Sequence, residues 1–291
     1  YQQTHPLPGS PVGFVTVLDP GLTTLLASTF LSGSVAAPAG ANPGGVNAVA
    51  AGGSGVVTLV GSTSQSDFPV TPGAFQETFG GGGVPYDAFV ARLSPSLDKL
   101  LYSSYLGGTT YYDFAYSVRV DARGYALVAG ITQSVDFPTT SGAWDTSWNF
   151  YQDGTLTLLD MLPTGVSDFG ASTPGCAGPL AMGANGTPSV GNLGFEVHCT
   201  NVPPGGAGFF AFCLGAFPVG VPALGVELWI NPFPVLVAKP VVGGLDGFEA
   251  TPLPLQASWP AGATLYAQYF WLDACGSEGF SASNALAITL Q

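Results

Sequence analysis

The sequence predicts an all-β chain in two parts: two four-stranded repeats plus one further strand, then a second β-domain. Three observations carry this expectation. One stretch is written twice, since residues 61–79 (GSTSQSDFPVTPGAFQETF) align without a gap to residues 130–148 (GITQSVDFPTTSGAWDTSW). Gly and Pro supply 67 of the 291 residues (42 and 25), yet 12% are Phe, Trp or Tyr, which means tight turns joined to packed β-structure rather than low complexity. Apolar runs are cut by Gly, Pro or a polar residue every few positions, so they have the length of strands and not of membrane helices.

Taken in order, residues 1–12 (YQQTHPLPGSPV) carry three prolines and no periodicity. They are expected to form an extended arm, with docking on another subunit as the alternative. The segment has no charged and apolar leader pattern, and reads as a mature N-terminus. The repeat region is expected over 13–162. Its first copy has β-runs Phe14–Leu18, Leu25–Leu31, Val46–Ala51 and Val56–Val60, with the turns Asp19-Pro20-Gly21 and Gly52-Gly53-Ser54-Gly55 between them. The second copy repeats the plan as Ala88–Leu93, Leu100–Leu106, Tyr116–Val120 and Tyr125–Ala129. Residues 34–45 stand against the shorter loop 109–114, the one place where the copies differ in length. Four short strands per copy with Gly-rich turns is the pattern of a propeller blade. Asp153–Leu159 reads as the first strand of a third copy.

Three separated motifs fall in the same order in both copies. In the second copy they are Asp87-Ala-Phe-Val-Ala-Arg-Leu93, Tyr102-Ser-Ser-Tyr-Leu-Gly-Gly108 and Asp136-Phe-Pro…Gly142-Ala-Trp144. This pattern resembles the SBBP-type bacterial β-propeller repeat, over about residues 13–160. The resemblance implies a blade-like antiparallel sheet in a secreted or surface protein, and it implies no catalytic residues. It also departs from the family, because propellers close with roughly four to eight blades and this chain holds two. The expected architecture is therefore an incomplete β-propeller-like blade array, whose uncovered faces and edges need neighbours.

Residues 163–175 (PTGVSDFGASTPG) read as a linker, and 176–291 as a disulfide-bonded β-sandwich. The second domain's runs are Leu193–Cys199, Phe209–Leu214, Gly225–Ile230, Val235–Val242, Leu253–Ala257, Thr264–Asp273 and Ser283–Leu290. Its ending, with Leu265-Tyr-Ala-Gln268 and Ser283-Asn-Ala-Leu286, is similar to the C-terminal domains of planctomycete-type secreted proteins.

Charge narrows the partners. Five basic residues against eighteen acidic ones give a net charge of −13. A groove that tracks phosphates needs clustered Lys and Arg, so nucleic acid and anionic membrane surfaces are not expected partners. Cys176, Cys199, Cys213 and Cys275 are even in number, and two disulfides are expected of an exported domain. Cys199–Cys213 would staple a hairpin and leave Cys176–Cys275, although spacing alone leaves all three pairings open. Zinc is the rival reading, but there is no Cys-x-x-Cys pair and His198 is the one nearby histidine.

No catalytic, cofactor-binding or metal residue is expected. His5 and His198 lie far apart, and no Gly-x-Ser-x-Gly elbow accompanies them. Asp67, Asp136, Asp87 and Asp153 sit beside turns, where Asp caps backbone N–H groups. Calcium would want several convergent oxygens, and a glycosidase two carboxylates brought together. Gly80–Gly83 leads into no helix and no Lys, so it is no phosphate loop. Aromatics at repeat-equivalent positions (Tyr105 with Phe30, Trp144 with Phe75, Trp148 with Phe79) are expected in the core. Tyr111 and Tyr112, in the variable loop, are the candidate interaction surface. The expected function is a secreted or cell-surface, non-enzymatic structural protein that self-assembles as a homo-oligomer or filament. A glycan-binding, adhesin-like module is the alternative.

Overall fold

The computed structural model describes residues 1–291 apart from 38–40, 42, 53–54, 82–85 and 122, and apart from the side chains of 234–236. Parts of the turn 52–55, the Gly80–Gly83 run and the loop 34–45 thus lie outside the described residues. All regular structure among the described residues is β-strand, with no helix. The chain divides into two compact units. One is Tyr1–Ala51 with Val57–Asp121 and Tyr125–Met161, and the other is Leu162–Gln291 with Gly52–Val56 and Ala122–Gly124.

The first unit holds β1 (Gly13–Leu18), β2 (Leu25–Leu31), β3 (Gly44–Ala51), β4 (Val57–Thr63), β5 (Asp87–Leu93), β6 (Leu100–Leu106), β7 (Asp113–Val120), β8 (Ala126–Thr132) and β9 (Asp153–Leu159). They pair as three antiparallel sheets, β1-β2, β3-β4-β5-β6 and β7-β8-β9. The four-stranded sequence repeat is therefore not the sheet. The ladder runs from β4 into β5, Val57↔Leu93 through Thr63↔Asp87, across the boundary between the two copies. The chain leaves β2 for β3, and β6 for β7, without pairing them, so the second and third sheets each join the end of one copy to the start of the next. The three sheets form no closed propeller.

Burial follows from stacking. On one face of the middle sheet Leu59, Phe89, Ala91 and Tyr105 pack against Val15, Val17, Ala27 and Leu31 of β1-β2. On its other face Val60, Ala88, Val90 and Leu106 pack against Ala115, Val118, Val128 and Leu159 of β7-β8-β9. Both faces of β4 are consequently buried along its whole length. A strand covered on two sides loses the polar alternation of a half-exposed one, which is why the centre of DAFVARL reads as a continuous apolar run, while β4 buries small polar residues, Thr58, Ser62 and Thr63, beside its apolar ones.

The second unit holds β10 (Val166–Phe169), β11 (Ala181–Ala184), β12 (Glu196–Thr200), β13 (Ala207–Ala223), β14 (Val226–Val242), β15 (Phe248–Pro252), β16 (Thr264–Ser277) and β17 (Phe280–Thr289). They form a five-stranded sheet, β10-β17-β16-β13-β14, and a three-stranded sheet, β11-β12-β15. Met182, Val197 and Cys199 of the smaller sheet share one core with Phe210, Tyr269, Trp271, Leu286 and Ile288 of the larger. Three expectations are corrected here. Residues 163–175 are not a free linker, since β10 pairs with β17 and Thr173 bridges to Ala282. The run 253–257 is not a strand, and β15 precedes it. The runs 209–214, 225–230 and 235–242 merge into one long hairpin, β13-β14, bent where its register shifts after Cys213 and Ala216.

The cysteines are corrected too. Cys176 and Cys275 form a disulfide spanning 99 residues, whereas Cys199 and Cys213 are free and buried. Strand parity explains why the second bond does not form. Along β13, Phe210 and Phe212 face the shared core, while Ala211 and Cys213 face the opposite side of the sheet. Cys199 lies in the shared core, so a sheet separates the two thiols. Burial pushes both thiols above the usual cysteine range. Thiol titration without reductant is therefore expected to find no reactive cysteine in the native protein and two after denaturation. Opening the Cys176–Cys275 loop by mutation to serine should cost about 2–5 kcal/mol in denaturant unfolding.

Candidate functional site

The motif that the chain writes twice is a clamp. Asp67 Oδ2 accepts hydrogen bonds from the backbone N–H groups of Ser34 (2.7 Å) and Val35 (3.0 Å) and from the Ser34 hydroxyl (2.8 Å). Asp136 does the same for Thr109, accepting from its N–H at 2.9 Å and its hydroxyl at 2.6 Å. Each aspartate thus caps the loop that follows β2 or β6, and these donors hold the Asp136 carboxyl below its usual range. Gly33 and Gly108 sit directly under these carboxylates, where any Cβ would overlap them. The Leu-Ser-Gly and Leu-Gly-Gly sequences and the Asp-Phe-Pro sequences are two halves of one contact.

The rest of the motif grips a strand. β6 lies between β5 on one side and residues 69–76 on the other. Thr71 N–H donates to Ser103 O (3.0 Å), the Ser103 hydroxyl to Pro69 O (2.6 Å), and the Tyr105 hydroxyl to Gln65 O (2.8 Å). Gln76 closes the grip. Its N–H donates to Ser104 Oγ (2.9 Å), its carbonyl accepts from Tyr105 N–H (3.1 Å), and its Oε1 accepts from Gly107 N–H (3.0 Å).

β2 is held identically by a residue that the sequence reading placed in a loose arm. Gln2 N–H donates to Thr29 Oγ1 (2.8 Å), its carbonyl accepts from Phe30 N–H (3.0 Å), and its Oε1 accepts from Ser32 N–H (3.1 Å). Tyr1-Gln2-Gln3-Thr4 therefore stands where Phe75-Gln76-Glu77-Thr78 stands. The similarity of YQQT to FQET was the available signal.

The second motif copy has the same walls around an open slot. Residues of the 132–148 segment, among them Phe137, Pro138, Thr140 and Trp148, line a cavity of about 420 Å³ with Gly154–Leu158 of β9. Asn149 N–H donates to Asp153 Oδ2 at 2.7 Å, as Gly80 N–H does to Asp87, so β9 is the equivalent of β5. Thr71 and Ala74 are buried beside β6, but their counterparts Thr140 and Ala143 are exposed. Trp144 is fully exposed and Phe75 54% exposed, which corrects their placement in the core. Tyr105 is buried, with Phe79 tilted against it at 5.6 Å, while Phe30 and Trp148 are half-buried.

Two carboxylates converge on Gly107. Asp87 and Asp113 are both completely buried, and a Cβ on Gly107 would crowd both. Burial, then the neighbouring Asp113 and Asp136, pushes Asp87 up to about 7, against the lowering bond from Gly80. Asp113 is raised for the same first reason, although Thr132, Gly108 and Ser134 donate to it. Both carboxylates are sealed from solvent where β6 ends, packed against the backbone of Gly107. Cys176, Asp273 and Cys275 form the one close triplet of metal-type ligands among the described residues, and two of them are spent in the disulfide. His5 stacks on Phe30 and His198 on Phe248, in different units.

Tyr111 is exposed, with a left-handed backbone (φ 43°), and Tyr112 is half-buried. Tyr112 belongs to a ladder of rings: Tyr86 and Phe114 lie 5.5 Å apart, Tyr112 and Phe114 5.9 Å, and Phe114 and Tyr116 6.0 Å, the last nearly parallel. The i, i+2 spacing along β7 puts 112, 114 and 116 on one face. In the second unit the bent β13-β14 hairpin leaves an apolar cleft of about 360 Å³ beside Phe209, Leu228, Ile230 and Phe270, with no polar group to orient a reactant.

Compared with known proteins, the chain matches no family model, and no curated protein matches it in sequence. The SBBP resemblance therefore rests on the repeat motifs alone.

Two outcomes test this geometry. Gly108→Ala is expected to lose about 1–3 kcal/mol of stability, partly restored when Asp136→Ala removes the overlapping carboxylate. Asp87 holds its proton more tightly folded than unfolded, so its contribution is complete below about pH 4 and lost as pH rises through about 7. Denaturant unfolding across that window should show stability falling by at most about 1.4 kcal/mol per pH unit, with a flatter profile for Asp87→Asn.

Proposed function

We propose that this is a secreted, non-enzymatic structural protein that self-assembles through the edges and faces of its β-sheets, as a subunit of an extracellular filament or surface layer. In this reading the three stacked sheets are blades of an incomplete β-propeller-like array, and the second unit is a β-sandwich. One observation carries it: the outer sheet of the stack at each end bares an apolar face. Phe14 (64% exposed), Leu18 and Leu26 project from β1-β2, and Leu127, Leu156 (71% exposed) and Leu158 from β8 and β9. The middle sheet buries the equivalent positions against a neighbour. Large apolar patches on soluble proteins mark interaction sites, and stacked repeats need a cover at each end. The disulfide fits an oxidising, extracellular setting.

Sedimentation velocity tests the proposal. Large assemblies are expected for the purified chain, and Phe14→Asp with Leu26→Asp should convert them to monomer without loss of β-signal in circular dichroism. A compact monomer at high concentration would overturn it.

The aromatic ladder on β7 favours a second reading, a glycan-binding module, because stacked rings offer flat apolar platforms to sugar faces. Glycan-array binding that weakens roughly tenfold in Tyr112→Ala with Tyr116→Ala would support that reading over the first.

A further inference from the structure

We propose that the slot beside β9 is a strand-acceptor site, which takes an extended polypeptide strand of β6 chemistry supplied from outside this 291-residue sequence. The same place in the repeat occurs three times in this chain. β1, β5 and β9 are the same strand of the repeat. β1 is completed by β2 and β5 by β6, each pinned on its far side by the second half of a motif copy. β9 has its motif half, residues 134–145, but after Leu159 the chain turns into the second unit, and among the described residues no strand pairs on that edge. The slot is bounded by two backbones, as the place occupied by β6 is, and its volume of about 420 Å³ is open.

The walls specify what would enter. Phe68 and Phe79 pack tilted against Tyr105, with centroids at 6.1 and 5.6 Å, and their counterparts in the slot are Phe137 and Trp148. Pro69 O receives the Ser103 hydroxyl, and Pro138 stands in its place. The fitting strand is therefore Leu-Leu-x-Ser-x-aromatic-Leu, the pattern shared by β2 (LLASTFL) and β6 (LLYSSYL). The clip itself differs: the position of Gln76 is taken by Asp145, which here accepts from its own neighbour Ser147, at 2.8 Å from the N–H and 2.6 Å from the hydroxyl. The shorter side chain removes the long clip and leaves the backbone edge.

Counting decides the source. Among the described residues there are three acceptor strands and two donors, β2 and β6, both already used. If copies exchanged donors, each slot filled would open another, so self-exchange gains no pairing. The partner is another polypeptide segment carrying this pattern, added by β-augmentation.

The probe is the peptide LLYSSYLGG (residues 100–108) with the full chain. Binding at one peptide per chain is expected, with an N-methylated peptide that lacks backbone donors failing to bind. The register of β5 with β6 pairs Ala91 with Ser103. A peptide with Cys at the Ser103 position should therefore cross-link to Thr157→Cys and not to Thr155→Cys. Absence of binding, or cross-linking without that preference, would overturn the proposal. So would peptide that dissolves the protein's own assemblies, because copies of the chain would then be supplying the strand. A chain that stays monomeric yet takes the peptide in register would support this inference while refuting self-assembly.

Discussion

A sheet that is apolar on both faces must be covered on both, and the first unit is arranged around that requirement. The middle sheet meets it through its neighbours, Leu59, Phe89 and Tyr105 on one side and Val60, Val90 and Leu106 on the other. Burying such side chains is worth about 1.5–3 kcal/mol each for the larger ones, more than the roughly 0.5–1.5 kcal/mol of a neutral hydrogen bond in the motifs. The outer sheets are made from the same repeat and inherit the same two-faced strands, but each has a neighbour on one side. Their exposed leucines and phenylalanine are the remainder of a pattern designed for stacking.

Within that stack the polar motif does a different task. Hydrophobic burial is non-directional and would tolerate sliding of one sheet over the next. The aspartate caps are directional, and they tie the loop leaving β2 or β6 in one sheet to the motif that follows β4 or β8 in the next sheet. The glycine beneath each carboxylate makes the contact exclusive. The price of this close packing is the pair Asp87 and Asp113, carboxylates buried with incomplete hydrogen bonding, one oxygen of each having no partner.

Much of this was legible in the sequence. The two motif copies located β4 through β9, and the turn aspartates were correctly read as caps. What eluded reading were relations set by tertiary pairing. Strand order along the chain does not say which turn carries a ladder and which breaks it, so the sheets fell half a repeat away from the sequence unit. The parity of Cys213 against Phe210 and Phe212 was present in the letters, but it excludes a disulfide only once Cys199 is known to lie on the other face. Trp144 matched Phe75 and was assigned to the core, although neither ring is buried. Gln2 was overlooked because a four-residue match, YQQT to FQET, is too short to stand out until its three hydrogen bonds are seen.

The account makes the outer sheets dependent on association and the middle sheet independent of it. Hydrogen–deuterium exchange measured across a range of protein concentrations separates these directly. Amides of β4, β5 and β6 should be the most protected in the first unit at every concentration, with protection in β1 and β9 rising as concentration increases. Uniform protection of β1, β5 and β9, unchanged by dilution, would mean that the outer faces need no partner and would contradict the central claim.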